Sequence, residues 1–243
     1  MNKFILLFAV MLISATAYSQ SSDPASTKAL IEKMYNTYKG VWYEAITFQQ
    51  QTEFFKDGVK QREETWYEAM DMKSGALVIK FNSMDSGDGM IFRNDSLLSY
   101  ADNQLKSKTY RIHELIVLGF SVYTNPPKST LEKIKASGFD TNIFGQEMYD
   151  SRMHYVVGNP EKAQFWIDAK TLVFTKMKRV SQGRTQEIEF KGYQKLGKGW
   201  VETEVLFVVN GQLFMREVYS NIQAPKALPA SFYKQYVFNQ IIW

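Results

Sequence analysis

The chain has 243 residues, 29 Lys plus Arg against 25 Asp plus Glu, a formal net charge of +4, no cysteine and two histidines. Charges of both signs are mixed along its length, so the clustered basic face of a nucleic-acid binder is missing. The lack of cysteine excludes disulfides, Cys-based zinc sites and an acylated N-terminal cysteine.

Lys3 precedes an apolar run over 4–13, followed by the small residues Ala15, Ala17 and Ser19. These are the three parts of a secretory signal. About ten apolar residues fall short of the roughly twenty that span a bilayer as a helix, so the run is expected to be removed. Cleavage fits after Ala17 or after Ser19. The later point makes 1–19 the signal peptide and leaves 20–243 as one domain, expected to be periplasmic, soluble and monomeric.

The mature chain opens with a predicted amphipathic helix. Asp23 is the expected N-cap with Pro24 in the first turn; Leu30, Ile31, Met34, Tyr35 and Tyr38 form the apolar stripe, and Gly40 ends it. From Val41 the period changes to two. Turn signals at Asp57-Gly58, 86–89, Asn94-Asp95 and Asp102-Asn103 divide a β-meander. Trp42, Ile46, Phe48 and Phe54 share one face of the first long strand; Leu77, Ile79 and Phe81 alternate with Val78, Lys80 and Asn82 in the third.

Alternation stops at Arg111. Ile112, Leu115, Ile116, Leu118 and Phe120 predict a short apolar helix, and a second begins near Pro127 with a Ser129-to-Glu132 capping box and Gly138 as terminator. This helical insertion occupies roughly 111–138. Strands resume over 153–157, 163–168, 172–181, 185–193, 200–209 and 213–222.

The fold class is therefore mainly β with helices: an antiparallel sheet of about eleven strands, wider than the roughly eight that side chains fill when a barrel closes. The helices are the available plugs, and what they leave unfilled is an apolar cavity. Its expected lining is Trp42, Ile46, Phe48, Leu77, Ile79 and Phe81 from the first half. Phe92, Phe165, Ile167, Ile188, Phe190 and Leu206 complete it.

Catalytic and metal signatures are missing. His113 and His154 have no metal-ligand spacing; His113 reads as a cap or exposed residue and His154 as a strand residue. Glu202 and Glu204, roughly 7 Å apart by the strand rise, mimic a paired-carboxylate site, but alternation like that of Glu187 and Glu189 reads as a solvated face. No enzyme activity, cofactor or nucleic-acid partner is expected.

Asp23-Pro24-Ala25-Ser26 leading to Met34-Tyr35, Trp42-Tyr43, Thr47-Phe48, Thr52-Glu53-Phe54-Phe55 and Thr65-Trp66-Tyr67-Glu68 follow a recognisable order. Ile91-Phe92-Arg93-Asn94-Asp95-Ser96, Phe165-Trp166-Ile167-Asp168 and Gly199-Trp200-Val201-Glu202-Thr203 continue it. In these stretches the chain resembles the LolA-like periplasmic carriers, in the variant described as outer-membrane lipoprotein-sorting proteins. The resemblance implies an unclosed antiparallel barrel with a helical lid over a hydrophobic cavity for acyl chains. It also implies a carrier or chaperone of acylated lipoproteins or lipids, working between inner- and outer-membrane transport proteins. The classical carrier holds its lid with an arginine; Arg62, Arg93 and Arg111 are open for that role, and the first hairpin, 41–71, is unusually long. The competing reading is an envelope scaffold whose cavity is self-filled and which binds a protein partner.

Overall fold

The computed structural model describes residues 23–233 and 238–243, so the signal segment lies outside the described residues. Helix α1 (Thr27–Tyr38) starts later than the sequence suggests. Ser26, not Asp23, is its N-cap, accepting a hydrogen bond from the Ala29 amide at 3.2 Å. The Asp23 carboxylate instead accepts from the Tyr155 hydroxyl at 2.8 Å. Leu30, Ile31, Met34 and Tyr38 are buried, the stripe that three-to-four spacing produces.

Strands β1 (Ala45–Lys56), β2 (Val59–Asp71), β3 (Ala76–Phe81), β4 (Gly89–Arg93), β5 (Ser96–Ala101) and β6 (Gln104–Tyr110) follow. The β1–β2 turn has Asp57 at φ 52° and Gly58 at φ 76°, the pair of positive values that a type I′ hairpin requires. The chain then turns helical: α2 (Glu114–Gly119), a 3-10 turn (Ser121–Tyr123) and α3 (Pro127–Ala136). No side chain caps α3, so the Ser129-to-Glu132 box does not form. Pro127 at the first position starts it, since its missing N–H is one a helix leaves unpaired anyway.

The second half holds β7 (Phe144–Tyr149), β8 (Arg152–Asn159), β9 (Ala163–Asp168), β10 (Phe174–Ser181), β11 (Arg184–Lys191) and the short hairpin β12 (Gln194–Leu196) and β13 (Gly199–Val201). It ends with β14 (Glu204–Val209) and β15 (Gln212–Gln223). The count exceeds the eleven expected because β7 carries little apolar alternation, the three-residue β12 is too short to show a period, and the run 200–209 breaks at Glu202.

Thirteen strands form one antiparallel sheet in the order β6-β5-β4-β3-β2-β1-β15-β14-β11-β10-β9-β8-β7. Its two edges, β6 and β7, are consecutive in sequence and no ladder joins them among the described residues. The sheet therefore curls without closing, and the helices between β6 and β7 lie across its open side. Exposed β6, with Lys106 and Lys108, is charged in the way that discourages edge-to-edge pairing.

The sheet separates two cores. Its concave face packs on α1 and the lid helices; Trp42 stacks on Tyr123 at 3.8 Å, with Tyr38 edge-on to both. The convex face of β1–β5, carrying Val78, Ile91, Leu98 and Tyr100, is covered by Leu228, Phe232, Phe238 and Ile241 of the C-terminal segment. Lys80, on this face, is fully buried and donates to the carbonyls of Met84 (2.7 Å) and Asn239 (3.2 Å). Burial pulls its pKa down to about 8.

Candidate functional site

A cavity of about 320 Å³ lies between the concave face and the lid. Phe48, Trp66, Met70, Leu77, Ile79 and Phe92 line it from β1 to β4. Met177, Ile188, Phe190, Phe207 and Met215 line it from β10 to β15, and Leu115, Ile116 and Phe120 close it from the lid. The volume sits at the lower end of the roughly 300–1,000 Å³ of small-molecule sites. A more polar pocket of about 300 Å³ adjoins it through Phe92, Arg111, His113 and Ile116, with Asp95, Asn125 and Lys133 on its far wall.

Of the residues expected to line the cavity, Phe48, Leu77, Ile79, Phe92, Ile188 and Phe190 do so. Trp42, Ile46, Phe165 and Ile167 are buried in the same core but packed against other side chains rather than facing the space. Phe81 is half-buried against Trp66, ring centroids 5.0 Å apart. Leu206 lies on the opposite face, across from Glu189 and Arg216, while its neighbour Phe207 pairs with Ile188 and points inward.

The break before β14 also corrects the reading of Glu202 and Glu204. Alternation does not carry across Glu202 and Thr203. Glu204 stays outside, ion-paired with Arg216 at 2.6 Å, whereas Glu202 is 1% exposed and its Oε1 has no hydrogen-bond partner among the described residues. Burial raises its pKa to about 8, with the charge of Glu217 adding to the shift. Two further carboxyls are buried on the cavity wall. Glu68 on β2 is pushed well up by burial, then by the charges of Glu217 and Glu202; burial takes Glu217 on β15 up to about 7 against the hydrogen bond from Tyr219. None of the three forms an ion pair among the described residues.

Sequence reasoning also missed the contact that ties lid to sheet. Arg179 on β10 donates to Glu114 of α2 at 2.9 Å and to the Ser137 carbonyl, just past α3, at 2.7 Å. None of the three arginines left open above does this. Arg62 pairs with Glu64, Arg93 donates to the Phe232 carbonyl and Arg111 is exposed at the lid's start. Alternation along β10 was the available signal, since Arg179 is in register with Met177 on the inner face. His113 caps α2, its Nδ1 accepting from the Ile116 amide at 3.4 Å; burial, with the charge of Arg111, lowers its pKa to about 4. His154 is buried on β8, and no metal-holding group of His, Asp or Glu exists among the described residues.

No family model matches this sequence, and no curated protein is similar to it in sequence. Solved structures do resemble it. A LolA superfamily protein from Nitrosomonas europaea superposes with a TM-score of 0.54 at 9% identity, over 86% of this chain and 97% of that one. A DUF1329 family protein from Desulfovibrio piger and a domain assigned to outer membrane lipoprotein sorting from Vibrio parahaemolyticus each give 0.58 at 13% identity. Each match covers 88% of this chain and 98% of the other. At these identities the likeness is one of architecture: a large unclosed antiparallel sheet with helices across its opening. The chain has the LolA-like fold.

Proposed function

We propose that this protein is a non-enzymatic carrier that shields the hydrocarbon chains of a lipoprotein or lipid in the cavity beneath its lid. The observation that carries this reading is the cavity itself: its own helices leave about 320 Å³ unfilled, walled mainly by Phe, Ile, Leu and Met. An open cavity favours a carrier over a self-filled scaffold. Burying apolar surface yields about 25 cal/mol per Å², enough to hold an acyl chain with few polar contacts. No helix among the described residues is long and apolar enough to cross a membrane. With the secretory pattern of the first twenty residues, this supports a periplasmic carrier passing cargo toward the outer membrane. Intact-mass analysis of the exported form is expected to find an N-terminus at Tyr18 or Gln20.

The test is binding of a fluorescent acyl-chain probe to the purified mature protein. Ile188→Trp fills the cavity from its wall and is expected to weaken the probe at least about tenfold while the melting temperature stays within a few degrees. A wild-type protein that binds no acyl probe overturns the proposal.

A further inference from the structure

Besides the polar groups Arg111, His113, Glu114, Arg179 and Gln186, the cavity wall carries one polar strip on the sheet. Glu68 and Glu217 flank β1, Glu68 beside Phe48 and Glu217 beside Thr52, with Gln50 and Tyr219 between them. Glu68 is 5% exposed and has no hydrogen bond or ion pair among the described residues. Glu217 is 8% exposed and takes a hydrogen bond from the Tyr219 hydroxyl at 3.1 Å. Glu202, buried but not lining the cavity, leaves one carboxyl oxygen unsatisfied. A buried polar group without a partner costs free energy that a packed apolar residue would not, so Glu68, facing an empty cavity close to Glu217, calls for a ligand group.

We propose that the cavity takes an amphiphile whose polar end is a protonated amine, seated against Glu68 and Glu217 with its hydrocarbon chain along the apolar wall. This rests on the carrier reading and names the chemistry of its cargo. An ammonium brings three N–H donors and a positive charge that favours the ionised forms of Glu68 and Glu217 and offsets the repulsion between them once ionised. A carbonyl or hydroxyl oxygen brings no such charge. A ligand carboxylate would oppose their ionisation. The basic groups that line the cavity form no ion pair with Glu68 or Glu217 among the described residues: Arg111 is exposed at the start of the lid, and Arg179 is countered by Glu114. The other titratable groups around Glu68 are Glu202, Glu217 and Tyr219 on the sheet side and His113 at the lid. Burial keeps all three carboxyls neutral more readily than in water, so seating the ammonium expels protons from them to bulk solvent.

The experiment compares dodecylammonium, dodecanol and dodecanoate on the mature protein by calorimetry at about pH 6 and about pH 9, a window in which the carboxyls titrate. The ammonium is expected to bind about ten- to a hundredfold tighter than the alcohol at the higher pH, the range of a charged hydrogen bond. The gap is expected to narrow at the lower pH, with binding heats that depend on the buffer because protons are released. Glu68→Gln, which keeps shape and removes charge, is expected to shrink the gap while leaving dodecanol binding and melting intact. Glu217→Gln is the second variant if the first does not fold. Dodecanol binding as tightly as the ammonium, or dodecanoate binding tighter than both, overturns the amine proposal and leaves the carrier reading standing. If none of the three binds, the carrier reading fails and this proposal fails with it.

Discussion

Arg179 and Glu114, sixty-five residues apart in sequence, meet at 2.9 Å where the sheet touches the lid. The same guanidinium reaches the Ser137 carbonyl and lies over the Phe139 ring at 4.6 Å, so one side chain fastens both lid helices to β10. Arg179→Met keeps an apolar stem on Phe139 and removes the polar ties. Since both partners are partly exposed, the stability loss is expected to be only about 1 kcal/mol, or about 2–4 °C in melting temperature. Amide hydrogen exchange in α2 and α3 is expected to speed up well beyond that of β8 and β9. Unchanged exchange in the lid would show that the latch is held elsewhere.

Gly119, at the end of α2, sets how close the lid comes to the cavity wall. A Cβ there would stand 2.9 Å from Cε2 of Phe190, whose ring is itself held edge-on by Phe174 at 4.8 Å. Gly119→Ala therefore tilts the ring or lifts the helix, at a cost of about 1–3 kcal/mol. Lower melting temperature and faster release of a bound acyl probe are the expected outcomes. Gly145→Ala on β7, where an added Cβ meets nothing within 4 Å, is the control and should change neither.

On the convex face, Phe238 stacks on Tyr100 with centroids 4.6 Å apart and lies beside the Lys80 ammonium at 5.3 Å. Phe238→Ala is expected to cost about 3–5 kcal/mol and to lower the melting temperature by about 10 °C. The cavity is on the other side of the sheet, so acyl-probe affinity measured well below the melting point should hold. Loss of binding with melting unchanged would contradict this separation of the two cores.

What was legible in the sequence is what local rules control. The hairpin turns at Asp57-Gly58, Asn94-Asp95 and Asp102-Asn103 stand where their residue types predict, because Gly, Asn and Asp enter the left-handed region most cheaply. The lid helices were visible from a change of period. Three features were not legible. Glu202 was misplaced because a break in one strand resets which side chains face inward. The burial of Val78 and Lys80 depends on a C-terminal segment more than a hundred and forty residues away, which no periodicity announces. Alternation along β10 puts Arg179 on the inner face with Met177, but its partners, Glu114 and the Ser137 carbonyl, come from the lid across the sheet opening and no local rule names them.

The buried carboxyls give stability an unusual dependence on pH. Glu202 has a pKa of about 8 in the folded protein, Glu217 about 7 and Glu68 is shifted in the same direction, against an ordinary 4.5. Between those limits the folded state binds more protons than the unfolded chain, so unfolding free energy falls as pH rises. The contribution of these groups is full below about pH 4.5, declines through neutrality and levels off above about pH 8, where both states are ionised. His113 acts oppositely on the acid side: with its pKa lowered from 6.5 to about 4, it destabilises the fold as pH drops through that interval. The melting temperature is therefore expected to peak near pH 5–6 and to fall by about 5–10 °C on going to pH 8, equivalent to a few kcal/mol. Glu202→Gln removes a buried charge only where the wild type carries one. It is expected to raise the melting temperature by several degrees at about pH 8.5 and to leave it nearly unchanged at about pH 5. Equal effects at both values would mean that Glu202 remains ionised throughout, as a solvated carboxylate does, and that its burial in the folded protein is relieved by water.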